Sequence, residues 1–382
     1  MKMFRLCLKW CIGGMVFIGF HADSFAKEKV MNPSGFEIHR GVNLSHWLSQ
    51  NFGWSPKATF ITERDMKFIA SIGYDHVRIP IDEAELWDTT GKQIDESFTY
   101  LTNCLDWCGK YKLRAIVDLH ILRSHYFNAV NEGGSNSLWT DTNAQNTFIH
   151  LWSDLSGRLK QYPVSMVAYE LMNEPVADNP GDWNKLIRTA VSSLRTLEPN
   201  RVFLIGSNRW QSPGTFPALE VPENDRNIIL SMHTYSPLFF THHTASWVAF
   251  KAYQGPVHYP GQVVSDSDYH SFVKQDSVLI HVMENSREVW NKQKLAEEQL
   301  PAIKKAKELG LQLYCGEFGC LPHVDRNERL AYYRDLISVF DEHQIAYCNW
   351  EYKGDFGIYT FDFEKNVSLE PDLDLIHILT GN

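Results

Sequence analysis

Val167-Ala168-Tyr169-Glu170-Leu171-Met172-Asn173-Glu174-Pro175 reads as a buried strand that runs into an Asn-Glu pair and stops at a proline. Residues 167–172 are short and mostly apolar, the pattern of a parallel strand covered on both faces. Pro175 has no N–H to give a ladder, so pairing ends there. A carboxylate set where a buried strand opens into a loop is costly unless it is paired or used. Glu174 is therefore read as a working group, and the rest of the chain as the scaffold that holds it opposite a second carboxylate, Glu317.

Outward from that stretch, strand-like runs alternate with helical stripes. Strands are expected at 36–43, 76–81, 113–120, 167–172, 201–206, 227–232, 311–319 and 345–351. Between them, apolar residues fall at helical spacing: Met66, Ile69 and Ile72; Phe98, Leu101, Leu105 and Cys108; Phe148, Leu151, Leu155 and Leu159; Trp183 through Leu197; Leu330 through Phe340. Thr62 with Asp65 three residues on reads as a capping box. Eight such alternations predict an α/β fold, a closed (β/α)8 TIM barrel in a single domain. An open doubly wound sheet would want a glycine-rich phosphate turn after its first strand, and Arg40-Gly41-Val42-Asn43 lacks that spacing. The stretch from Ser236 to about Trp290 is far longer than a normal connection and reads as a functional insertion with some helix, around 236–290.

Residues 1–26 have the form of an export signal peptide. Lys2, Arg5 and Lys9 precede an apolar run from Cys11 to Phe20, and Ser24-Phe25-Ala26 places small residues where a signal peptidase reads. That leaves 27–382 as the barrel, secreted or periplasmic, with no stable membrane insertion after cleavage. The formal net charge of -10 gives no basic patch for nucleic acid. The cysteines beyond the signal, Cys104, Cys108, Cys315, Cys320 and Cys348, are odd in number and too few for a disulfide framework, so they are read as buried thiols. With no Cys-x-x-Cys pair, and with His242 and His243 pointing apart, no metal site is expected. The 12 Trp and 16 Tyr are many for a soluble protein; most of the Trp are assigned to the core and a minority to a groove for flat sugar faces, with Trp47, Trp54, Trp210 and Trp247 open between the two.

In a barrel the C-terminal ends of the strands meet at one mouth. Polar residues recur there: Asn43, Arg78, His120, Asn173 with Glu174, His233 with Tyr235, Glu317, and Trp350 with Glu351. Two glutamates can divide one job, one protonated and donating to a leaving oxygen, the other ionised and attacking. Arg78 would lower the pKa of the carboxylate it faces. Tyr235 could donate to the nucleophile, and Asn173 could bond a substrate hydroxyl beside the reacting carbon.

Asn173-Glu174-Pro175 after its apolar strand resembles the acid/base signature of glycoside hydrolase family 5, the cellulase family. Gly316-Glu317-Phe318-Gly319 is similar to that family's nucleophile strand. Arg78 before Ile79-Pro80, His120, His233-x-Tyr235 and Trp350 match as well, over about residues 36–380. The resemblance implies a retaining hydrolase of β-linked polysaccharide, foremost an endo-β-1,4-glucanase, with Glu174 as acid/base and Glu317 as nucleophile. It implies that Asn173, Arg78, His120, His233 and Tyr235 position sugar and carboxylates, that Trp350 stacks on sugar, and that no cofactor or metal is needed. The same chemistry on mannan, xyloglucan, lichenan or β-1,3-glucan stands as the alternative, as does a non-catalytic carbohydrate-binding barrel.

Overall fold

The computed structural model describes residues 32–381 apart from 52, 54, 55, 130–133, 275–279, 363, 364 and 366. The proposed signal peptide and Trp54 lie outside the described residues.

Eight parallel strands close a barrel in chain order: β1 (Arg40–Asn43), β2 (His76–Asp82), β3 (Arg114–Ile121), β4 (Val167–Glu170), β5 (Phe203–Gly206), β6 (Ile228–His233), β7 (Gln312–Glu317) and β8 (Ala346–Asn349), with β8 pairing back onto β1. Around them run α1 (Glu63–Ser71), α2 (Asp95–Tyr111), α3 (Thr142–Leu159), α4 (Pro180–Leu197), α5 (Lys292–Leu309), α6 (Arg326–His343) and α7 (Leu373–Thr380). Between β5 and β6 a 3-10 turn, Pro213–Ala218, takes the place of a helix, and α5 packs against it. Among the described residues no helix is long and apolar enough to cross a membrane.

The elements begin and end for local reasons. Asp65 accepts from both the backbone N–H and the hydroxyl of Thr62, which closes the capping box at the start of α1. The Asn179 side chain caps α4, with Pro180 at its first turn. Gly310 ends α5 in the left-handed region. The apolar stripes of the helices face outward-pointing strand residues such as Val77, Ala115 and Leu230 in one continuous core. All five cysteines of the described chain are buried and free.

The insertion carries short helices at Leu238–Thr241 and Asp266–Val273 and a small ribbon pairing Gly261–Gln262 with Val289–Trp290. It docks on α6: Tyr259 donates its hydroxyl to Asp335 at 2.8 Å, and Phe240 packs on Tyr332. A second ribbon, Tyr359–Asp362 with Val367–Pro371, follows β8.

Candidate active site

Alternate residues of each strand point into the barrel, so the interior is built in layers. The lower layer is apolar: Ile116, Ala168, Leu204, Ile229, Tyr314 and Cys348 pack together, with Phe36 and Ile38 beneath. Two positions further along the same strands the chemistry changes. Ile116 is followed by Asp118, Ala168 by Glu170 and Ile229 by Ser231, all fully buried. Asp118 and Glu170 are register partners on neighbouring strands.

Arg78 is the cation at the centre of this upper layer, with no exposed surface. Its Nε donates to Glu170 at 2.5 Å and its Nη2 lies 3.0 Å from Asp118. Nη1 donates to Glu317 at 2.8 Å and to Asn43 at 3.0 Å, and Nη2 donates to Asn173 at 2.8 Å. The planar fork thus holds three strand-borne carboxylates and two amides at once.

Glu317 ends β7 and Glu174 lies just past β4, yet one oxygen of each falls within 4.8 Å of the other. The ladder of β4 ends at Glu170, short of the expected Met172. Single bonds continue, from Leu171 N to Leu204 O at 3.1 Å and from Asn173 N to Leu119 O at 2.9 Å. Glu174 then turns into the left-handed region, with φ 43. That turn aims its side chain across the mouth.

The surroundings of the two carboxyls differ. Glu317 accepts from Arg78 and, at 3.0 Å, from the Tyr235 hydroxyl. Glu174 has His233 Nδ1 at 3.0 Å, which is also 3.7 Å from Glu317. Burial pushes Glu174 well above the ordinary carboxylate range, and the charge of Glu317 pushes the same way. Burial raises Glu317 too, but Arg78 and then the Tyr235 hydrogen bond oppose it. Arg78 does pull downward as the sequence suggested, and desolvation outweighs it. The cation and the hydroxyl both favour the ionised form of Glu317, so Glu174 is the member that keeps the proton.

The remaining residues singled out from sequence surround this pair. His120 bonds Asp118 through Nδ1 at 2.8 Å and stacks on Trp350 at 5.6 Å and 12°. Burial lowers its pKa to about 4, so the ring is neutral near pH 7. Trp350 is only 8% exposed. Burial, then Arg78, holds His233 neutral as well, and Gly316 leaves room for its ring: a Cβ there would meet Nε2 at 3.0 Å. Asn173 accepts from Arg78 at its Oδ1 and keeps a buried Nδ2 with no partner among the described residues.

Sequence reasoning passed over Asp118, Glu170, Ser231 and Gln211. The first two carried a signal, since a carboxylate inside an apolar strand run is costly without a partner. Gln211, in the loop after β5, carried none. Of the tryptophans left open between groove and core, Trp47 is buried. Trp247, on the insertion, is 51% exposed and lies 6.5 Å from Phe356, itself packed on Tyr235.

Two trios among the described residues bring metal-ligand atoms together: Glu174, His233 and Glu317, and His46, Glu351 and Asp355. In the first, Arg78, Tyr235 and the His233–Glu174 contact occupy the facing atoms. In the second, Glu351 accepts from the Ser45 hydroxyl and pairs with His46 at 3.2 Å.

Comparison with known proteins bears on this geometry. A family model described as cellulase (glycosyl hydrolase family 5) matches residues 26–355. Endoglucanase C from Acetivibrio thermocellus is 35% identical over 345 residues, 89% of this chain and 97% of that protein. Cellodextrinase A from Ruminococcus flavefaciens is 28% identical over 313 residues, 81% of this chain and 84% of its own. Among solved structures, endoglucanase Cel5A from Thermotoga maritima shares the fold, with a TM-score of 0.69 at 22% identity, over 91% of this chain and 98% of that one.

Proposed function

The chain belongs to glycosyl hydrolase family 5, the cellulases, and from that premise we propose that it cleaves internal β-1,4 bonds of glucan with Glu174 as acid/base and Glu317 as nucleophile. It is an O-glycosyl hydrolase of the retaining, two-glutamate kind. The observation that carries the residue assignment is the facing pair, with carboxylate oxygens within 4.8 Å and only one partner cation, which sits on Glu317. Retaining carboxyls lie about 5–5.5 Å apart, whereas inverting ones need ~6.5–9.5 Å to admit a water.

In the first step Glu317 forms a bond to the anomeric carbon while Glu174 passes its proton to the departing glycosidic oxygen. In the second, water attacks that carbon, gives its proton to Glu174 and releases Glu317. Arg78 and Tyr235 keep Glu317 ionised and in one rotamer. The free Asn173 Nδ2 is a donor for a hydroxyl beside the anomeric carbon, where bonds strengthen as charge develops. His120 and His233, both neutral, are donors or acceptors for sugar hydroxyls at no cost in charge. Trp350 is the platform for the sugar ring at the cleaved bond.

The endo-glucanase reading draws on the endoglucanase relative at 35% identity. The test is a panel of soluble β-1,4-glucan, lichenan, xyloglucan, mannan and β-1,3-glucan scored for reducing ends and product length. Long products from β-1,4-glucan are expected. Binding without any reducing-end release would point instead to a carbohydrate-binding barrel. Residues 1–26 are proposed as an export signal, placing the enzyme in the periplasm or medium; mature protein beginning at Lys27 is the expected result of N-terminal sequencing.

A further inference from the structure

The segment that carries Glu174 is held by side chains from elsewhere in the chain. Every backbone N–H from 174 to 177 is taken by one. Glu174 N donates to Gln211 Oε1 at 2.8 Å, Val176 N to His125 Nε2 at 3.1 Å, and Ala177 N to Asn208 Oδ1 at 2.8 Å. Pro175 has none to give. Asn208 also donates back to Ala177 O at 2.8 Å.

Gln211 is the only one of these that reaches the reacting layer as well. Its Nε2 donates to Glu170 at 3.0 Å and to the Ser231 hydroxyl at 3.0 Å. Its backbone carbonyl accepts from His233 N at 3.0 Å, and His233 is the ring against Glu174. The amide orientation is therefore set: the oxygen must face an N–H and the nitrogen a carboxylate.

The chain goes to some length to deliver this side chain. Arg209, Trp210 and Gln211 are consecutive left-handed residues, with φ 57, 61 and 53. Such a run is costly for non-glycine residues and persists only where its surroundings over-determine it. The space that Gln211 fills exists because position 206 is glycine; a Cβ there would lie 2.2 Å from Gln211 Cγ.

We infer that Gln211 is a positioning residue for the acid/base step: it pins the left-handed backbone of Glu174 to the buried Glu170–Arg78 network and so holds that carboxyl at the leaving oxygen. The inference rests on the reading of Glu174 as acid/base. Its consequence is selective. A leaving group that departs without a proton makes no demand on Glu174 in the first step, whereas a sugar leaving group does. General damage to the site would slow both.

The experiment compares Gln211→Ala and Gln211→Met on soluble β-1,4-glucan and on dinitrophenyl β-cellobioside, with thermal melts on each protein. The Met variant keeps the volume, so it serves if the Ala variant does not fold. Glucan turnover is expected to fall about 10–100-fold. For the dinitrophenyl substrate kcat/KM is expected to stay within roughly 3-fold, while kcat falls as water attack becomes limiting and azide restores it. Parallel losses of kcat/KM on both substrates, or no loss on either, overturn the inference. Glu174→Ala is run alongside. If it shows the split and the Gln211 variants do not, only this inference fails. If Glu174→Ala shows no split, the acid/base assignment itself has failed, and the inference with it.

Discussion

The lower and upper layers of the barrel interior are drawn from the same strands, two residues apart, and they use burial in opposite ways. Below, Ile116, Ala168, Leu204 and Ile229 fill space and need nothing but shape. Above, Asp118, Glu170 and Glu317 share the one cation Arg78, and Glu174 is left without its own. Apolar packing gains from removing water, while the carboxylates lose hydration that a single guanidinium only partly replaces. The lower layer thus stabilises the barrel, and the upper layer uses some of that stability to keep two carboxyls in unequal protonation states.

Three measurements would break or sharpen that contrast. Glu317→Gln should lower glucan turnover by roughly 10⁴-fold or more with little change in Tm, since the nucleophile goes but the amide oxygen still accepts from Arg78 and the amide nitrogen can donate to the Tyr235 oxygen. Undiminished turnover in that variant, or in Glu174→Gln, would falsify the assignment of the pair. Arg78→Leu should strand three buried carboxylates, costing about 3–5 kcal/mol in urea unfolding and nearly all activity. An active, stable Arg78→Leu protein would mean the upper layer is not organised around a charge. Ile229→Ala, one layer down, should cost about 2–5 kcal/mol with kcat on glucan nearly unchanged. A large fall in kcat there would mean that the two layers are not separable.

The smallest effect lies outside both layers, in the loops after β1 and β8. Burial would lower the pKa of His46, but the Glu351 charge and hydrogen bond win and raise it to about 9. Asp355 beside them is raised to about 7 by burial and then by Glu351. A pKa raised in the folded state gives stability that is complete below the unfolded value and lost as pH rises through the folded one. Tm should therefore decline between pH 6.5 and about 9, and His46→Gln should flatten that decline. A wild-type Tm that is level or rising across this window would show that the Ser45, His46, Glu351 and Asp355 cluster is not coupled to folding.

How much was legible in sequence depended on distance along the chain. The eight strands were readable because alternation and apolar runs are local, although β1 and β4 proved shorter than their apolar stretches. Phe36 and Ile38 were placed in a strand and instead plug the barrel floor, where an apolar residue serves equally well. Glu174, Glu317, Arg78 and Tyr235 stood out because polar groups at the ends of buried strands are conspicuous. Glu170 sat inside the decisive stretch and drew no notice, since its partner Arg78 is two strands away. Gln211 had no local mark at all, because its meaning comes from three other loops and strands.

By itself, then, the order of residues determined the periodic elements, the barrel and the presence of chemistry at the strand ends, because each of these follows from neighbours a few positions apart. Only the closed structure decided which carboxyl keeps its proton. That depends on where one guanidinium lies among several acids that are remote from one another along the chain.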